Sequence, residues 1–434
     1  MKLEENSSIL NKNKQHQTKW LKVCNYLALF FVFLGLLIRI VQYISNRSLW
    51  GDEVDLALNI INRSYPELVQ TLDNNQAAPL GFLWLEKLVT QIWNNGEYAL
   101  RLVPFLASIF SLGLFYRLVR KYSSALAAPI AIALFACGRY LLYFSTELKP
   151  YSSDVAIALL IFWVLAKANR QILSSKQILG FACLGSLAIW FSYPSIFMLA
   201  GLEGWNLLTI NKRYLRQTII NRLGIYLSWL VSFGLFYWLT IVNTLSNQDL
   251  SASWAPRYPS SLLDVVWLLD ALGKFFYHPL GFRGITDGIG IFAFIVGCVV
   301  FYKTQRTIWL ALISPFVATI IAAYLHKYPF RDRLVLFLAP LAIMIIAEGI
   351  AFLLAKLGHI NKLNQIISRK RPWLIVLSGL LGIVCLYTLI LSPVYRASNF
   401  IIQPEKKHEI RPVIAYVAEQ VQLEEKIYVY EQGN

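Results

Sequence analysis

Eleven apolar runs, spread along nearly the whole chain, limit its possible folds more than any other feature. A helix needs about 20 mostly apolar residues to cross a bilayer. Runs of that kind fall at 22–44, 100–119, 125–144, 154–170, 177–193, 195–210, 223–245, 287–302, 307–325, 334–355 and 373–392. Of the 434 residues, 57% are hydrophobic and 15% charged, where a soluble globular protein carries about a quarter charged residues. This excludes a disordered chain, a collagen-like fibre and an ordinary soluble enzyme, and predicts one all-α polytopic membrane protein with about eleven transmembrane helices. The first run is too long for a signal peptide and lacks a small-residue cleavage site, so it reads as a helix.

Lys and Arg set the orientation, because they concentrate in cytoplasmic loops. With the N-terminal segment 1–21 in the cytoplasm, the inner loops hold Lys12, Lys14 and Lys19, then Arg117, Arg120 and Lys121, then Lys167, Arg170 and Lys176. The series continues with Lys212, Arg213, Arg216 and Arg222, then Lys303 and Arg306, then Lys362, Arg369, Lys370 and Arg371. Acidic residues outside the apolar runs sit almost entirely in the opposite loops. The net charge of +16 therefore reads as topology and attraction to anionic lipid. It does not point to nucleic acid, because the basic loops are too short to build a folded binding domain. The five cysteines, Cys24, Cys137, Cys183, Cys298 and Cys385, lie in or beside apolar runs and form no CxxC pair. They read as packing residues.

This orientation places 45–99, 246–286, the tail 393–434 and the short loops 145–153 and 326–333 on the extracytoplasmic side, so function is sought there. In the first of these, 52–62 reads as an interfacial helix. Trp50, Val54, Ala57 or Leu58, and Ile61 form its apolar stripe, and Asp52, Asp55, Asn59 and Asn62 its polar one. A second amphipathic stretch, Leu80 to Trp93, follows Ala78-Pro79. Asp52 and Glu53 open the first helix, where a carboxylate is stabilised by free N–H groups and the helix dipole. Two readings stand side by side: Asp52 is a helix cap, or the acidic pair serves a polar cavity at membrane depth.

Loop 145–153 packs Glu147, Lys149 and several hydroxyl residues, including Tyr151, between two apolar runs. This fits an ordinary proline turn with an ion pair as well as a site. Loop 326–333 carries His326, Lys327, Arg331 and Arg333 on the side where positive charge is disfavoured. A phosphate at the membrane surface explains such a departure, since Arg binds phosphate oxygens with charge-assisted, often bidentate bonds. Headgroup contact by snorkelling side chains is the plainer alternative. Segment 246–286 holds a further amphipathic stretch, Leu262 to Phe276, and reads as a lid, an acceptor groove or a plain loop. Glu203 and Glu348 lie inside apolar runs and receive no role.

Taken in order, these residues resemble a known family. Trp50-Gly51-Asp52-Glu53 follows the first helix. Then come Ala78-Pro79-Leu80 with Leu83 through Leu88, Gly96-Glu97-Tyr98-Ala99-Leu100-Arg101-Leu102, Glu147-Leu148-Lys149-Pro150-Tyr151, and Tyr328 to Arg333. The set resembles the polyprenyl-phosphate-dependent GT-C membrane glycosyltransferases, in the branch of protein O-mannosyltransferases and aminoarabinose transferases. The likeness is in motif detail over about the first 150 residues and in helix pattern beyond. It implies an enzyme of the plasma (inner) membrane with a catalytic domain over 22–392. The enzyme would move a sugar from a polyprenyl-phosphate donor to a lipid, glycan or protein hydroxyl on the extracytoplasmic face. The position matching the family's catalytic base is Asp52. Lys149 stands where relatives often carry Arg. Many relatives also have an outer C-terminal domain. The tail here, helix-like at 408–421 and strand-like at Ile427-Tyr428-Val429-Tyr430, resembles the opening of one.

The chemistry agrees with that implication. Phosphate is already a good leaving group, so transfer needs a base for the acceptor proton and cations for the developing phosphate charge. Asp52 is the expected base, supported by Glu53. Lys149, Arg331 and Arg333 are the expected phosphate clamp, with Lys327, His326 and Arg101 as outer candidates. Glu147 and Tyr151 would support the acceptor or the site. No cofactor is required, and a divalent ion among Asp52, Glu53 and Glu147 is left open. A transporter or flippase for a lipid-linked or polar solute is the rival reading. It favours charges inside helices and two matching, broken-helix halves, which the sequence does not display. A non-enzymatic membrane scaffold would tolerate loss of Asp52.

Overall fold

The computed structural model describes residues 2–166, 172–243, 252, 254–358, 372–404 and 409–422. Among them there is no strand, as expected where every backbone group at membrane depth must be satisfied within its own segment. Eighteen α-helices follow in chain order. They are α1 (Lys2–Ile44), α2 (Gly51–Asn62), α3 (Leu80–Trp93), α4 (Glu97–Leu100), α5 (Leu102–Tyr122), α6 (Ala127–Cys137), α7 (Arg139–Tyr143), α8 (Tyr151–Leu165) and α9 (Ser175–Phe191). Then come α10 (Ser195–Thr209), α11 (Lys212–Phe236), α12 (Val265–Tyr277), α13 (Ile285–Thr304), α14 (Arg306–Tyr324), α15 (Ala339–Gly358), α16 (Pro372–Leu386), α17 (Ser392–Ile402) and α18 (Arg411–Gln420).

Every one of the eleven apolar runs falls on a helix, but the helices are of two kinds. Seven are long and apolar enough to cross a membrane, and the pair α6–α7, bent by 53° at Gly138, makes an eighth if counted as one span. The other three, α8, α9 and α10, are only 15, 17 and 15 residues long. All eleven residues of α6 are buried, and α8 is buried on most sides. A helix that is apolar all round belongs in a core, and hydropathy cannot separate that from lipid exposure.

The segment Asp332–Ala355, a 3-10 stretch running into α15, is the central post and is buried along most of its length. Helix α13 packs against it at backbone distance. A Cβ on Gly297 would lie 1.8 Å from the Ile345 carbonyl oxygen, and one on Gly349 would lie 2.1 Å from that of Ala293. Small residues four apart thus let two membrane helices touch where lipid gives no hydrophobic drive to associate.

The loop after α1 follows its expected outline, with one correction. Helix α3 spans the expected residues, and α2 begins at Gly51. The buried face of α2, however, is Glu53, Leu56, Ala57, Asn59 and Ile60, whereas Val54 and Leu58 face outward. Asn59 tolerates burial because its side chain pairs with both backbone groups of Asp73. Beyond α17, α18 covers most of the helix-like part of the tail. The strand-like 427–430 and the basic residues Lys167, Arg170, Lys362, Arg369, Lys370 and Arg371 lie outside the described residues.

Candidate active site

Asp52 and Glu53 are neighbours in the first turn of α2, and the fold gives them opposite environments. Glu53 is fully buried. Arg47 approaches one of its oxygens at 3.0 Å and Arg101 the same oxygen at 2.9 Å. The Leu148 amide donates to the other oxygen at 2.9 Å, and the Trp50 amide closes the helix cap at 3.3 Å. The cap of α2 is therefore Glu53, and its carboxylate has no capacity left for an acceptor. Arg101 is equally committed. It is 2% exposed and also donates to the Arg47 and Ser48 carbonyls. Its expected role on a phosphate is thus corrected: it locks loop 47–50 onto the start of α5.

Asp52 points the other way, a third exposed, with Oδ2 at 3.3 Å from Arg333 Nη1. The Arg333 guanidinium lies over the Tyr151 ring, 5.6 Å from its centroid. Lys149, from the turn before α8, is 5% exposed, and its Nζ donates to Gln76 Oε1 at 2.6 Å. Burial is the main influence on Lys149 and draws its ammonium down to about 8; the Asp52 charge pulls the other way and Arg333 adds to the fall. Glu147 is fully buried, with the Tyr143 hydroxyl as a hydrogen-bonding neighbour. Burial first, then the Glu53 carboxylate, push it up to about 7 against the opposing pull of Arg47, Arg333 and Lys149. Asp52, Lys149, Arg333, Glu147 and Tyr151 thus form one electrostatically connected cluster at the end of the bundle.

The other cations of the 326–333 loop go elsewhere. Arg331 pairs with Asp270 of α12 at 3.0 Å, and Asp270 also holds Lys274 at 2.8 Å. His326 Nε2 meets the Pro259 carbonyl at 2.9 Å, and its ring stacks on Tyr258. Lys327 is exposed. Of the four, only Arg333 reaches Asp52. Of the three cations expected to act together, Lys149 and Arg333 lie with Asp52, while Arg331 is taken up by Asp270. Arg331 and His326 instead fasten segment 254–277 over the loop. The structure adds Arg47 and Gln76. Arg47 was recoverable from the sequence, since it too is a cation on the side where positive charge is disfavoured. Gln76 carried no signal.

Among the described residues no three His, Cys, Asp or Glu side chains meet as a metal site. Glu53, saturated by two guanidinium groups, does not fit as a ligand, so no step below uses a metal.

Taken together, a helical bundle with seven or eight helices long and apolar enough to cross a membrane defines a multi-pass membrane protein. Comparison with known proteins narrows the class. Residues 77–239 match the family model described as dolichyl-phosphate-mannose-protein mannosyltransferase, a segment that holds Lys149 but not Asp52. No curated protein sequence matches significantly. The fold is similar to the oligosaccharyltransferase AglB of Archaeoglobus fulgidus, solved with an inhibitory peptide and a dolichol-phosphate. That match has a TM-score of 0.52 and 14% identity, and covers 92% of this chain and 58% of AglB. It is also similar to ArnT of Cupriavidus metallidurans, solved with undecaprenyl phosphate, again at TM-score 0.52 and 14% identity, over 94% of this chain and 82% of ArnT. The chain shares the overall fold of these two membrane proteins.

Proposed function

We propose that the chain is an integral-membrane glycosyltransferase that moves a sugar from a polyprenyl-phosphate donor to a hydroxyl acceptor, with inversion. One observation carries this reading: a half-open carboxylate, Asp52, shares a cluster with two cations, Lys149 and Arg333. Before donor arrives, Arg333 neutralises Asp52. A donor phosphate competes for that guanidinium, and its departure toward the phosphate frees the carboxylate to act as a base. Asp52 then takes the acceptor proton as the acceptor oxygen attacks the anomeric carbon. The bond from that carbon to the phosphate oxygen breaks on the opposite side, and the phosphate leaves with the electron pair. Lys149 and Arg333 hold its charge, which is the larger part of the stabilisation such a site supplies. Glu53, Arg47 and Arg101 fix the loop that carries Asp52. The charge pattern of the loops supports an extracytoplasmic site in the plasma membrane.

The direct test incubates purified protein with polyprenyl-phosphate sugars and scores glycosylated products by mass spectrometry. Uptake of substrate into vesicles with no covalent product would overturn the reading in favour of transport. The pH profile gives a second check. Because the Lys149 ammonium titrates near 8, kcat/KM for the donor is expected to fall as pH rises through that value. Lys149→Arg should move this alkaline limb upward by more than one pH unit, since Arg stays charged. Lys149→Met should lower donor kcat/KM about 10- to 100-fold, the equivalent of one charged hydrogen bond. A profile indifferent to both changes would remove Lys149 from the donor site.

A further inference from the structure

At the same end of the bundle, a cavity of about 350 Å³ lies between the bend of α6–α7, the 280–282 turn and one face of α17. It shares no residue with the Asp52 cluster. Its neighbour His278 stacks on Tyr140 at 4.3 Å and lies within electrostatic reach of Asp332 and of Arg333, Arg283 and Arg139. Two guanidinium groups line the cavity, Arg139 and Arg396, together with the amides of Asn399 and Gln403 and the apolar Leu134 and Phe400. On α17, residues 396, 399 and 400 follow the spacing of one helix face, and Gln403 caps the helix beside them. No Asp or Glu lines it among the described residues. Arg139 has no carboxylate partner there, and its guanidinium rests near the Tyr140 ring. Arg396 bonds only within its own helix, to Ser392.

We propose that this cavity binds the phosphodiester headgroup of an anionic phospholipid, with the start of an acyl chain against Leu134 and Phe400. Four observations favour that occupant. Two cations line the cavity with no acid among the described lining residues. Guanidinium donors match phosphate oxygens in pairs. Phospholipid headgroups lie at the level of this end of the bundle, just outside the apolar core of the bilayer. The volume lies at the low end of the about 300–1,000 Å³ of small-molecule sites, enough for a headgroup and the first carbons of a chain but not a whole lipid. The surrounding bilayer supplies such a ligand without delivery. The site is independent of the sugar-transfer reading and is read by binding alone.

The test uses the full chain in detergent, titrated with palmitoyl-oleoyl phosphatidylglycerol or with phosphatidylcholine of the same chains, and counts bound lipids by native mass spectrometry. Phosphatidylglycerol is expected to bind about tenfold more tightly than phosphatidylcholine, as one charge-assisted contact would give. The double variant Arg139→Gln with Arg396→Gln should lose that preference, and Arg396→Gln alone should weaken it. Arg396 is exposed and bonded only to its own helix, so the single variant keeps the test sound if the double variant misfolds. Equal binding of the two lipids overturns the proposal, as does a preference that survives the substitutions. Stoichiometric displacement of phosphatidylglycerol by undecaprenyl phosphate would also overturn it, by making the cavity part of the donor's path.

Discussion

Replacing Asp52 with asparagine is expected to lower kcat for sugar transfer by about 10²- to 10⁴-fold, the usual contribution of a positioned general base, with little change in donor KM. Asparagine keeps the shape and can still accept a hydrogen bond from Arg333, but it cannot take a proton. The protein should remain folded. Asp52 is a third exposed and its single ion pair with Arg333 is 3.3 Å long; pairs of that kind contribute about 0–1 kcal/mol. Transfer rates measured beside a thermal unfolding scan separate the two effects. If Asp52→Asn retains a tenth or more of wild-type kcat, the base lies elsewhere, and the mechanism loses its central residue.

How far the sequence reveals this site depends on the kind of feature. Local amphipathic pattern placed α3 at its observed bounds, because an apolar stripe and a preceding proline are both local signals. The reversed charge of loop 326–333 marked the loop that carries Arg333, but it could not say which cation faces Asp52. That choice rests on two left-handed backbone positions, His326 at φ 53° and Asp332 at φ 49°. Arg331 faces α12 and Arg333 faces α2; His and Asp are among the residues that adopt this backbone more readily, but the sequence does not say which of them does. Arg101 and Asp52 lie in motifs of equal clarity, yet one is buried structure and the other half-open, because Arg101 closes on the Arg47 and Ser48 carbonyls and Glu53 while Asp52 faces Arg333 from the far side of the chain. The tail is a further case. Glu409 accepts from the Ser48 amide at 3.2 Å, and Arg411 bonds both the Ser48 hydroxyl and Glu97. A segment from the far end of the chain thereby braces the loop that carries Asp52.

Truncating Glu53 to alanine is expected to do more damage than losing the base, and by a different route. Its carboxylate faces Arg47 and Arg101, which are 3% and 2% exposed. Removing it takes the carboxylate that pairs directly with two buried guanidinium groups, a change that destabilises by about 3–5 kcal/mol where one partner of a buried pair is deleted. The Leu148 and Trp50 amides lose their acceptor as well. Loop 47–50, the start of α2 and the 147–150 turn are joined through this one side chain, so Asp52 and Lys149 would lose their relative position together. The expected result is low yield of folded protein, a lowered Tm and no measurable transfer. The pairing of charges can be separated from the packing of the site. Glu53→Gln keeps the volume and one acceptor, and should recover part of the stability but little activity, because the two cations stay unbalanced. Arg101→Met should be destabilising alone yet less so in the Glu53→Gln background, since each change relieves the charge the other leaves behind. Additive effects of the two substitutions on Tm would show that Glu53 and Arg101 do not act as a pair, and the account of what holds Asp52 in place would fall.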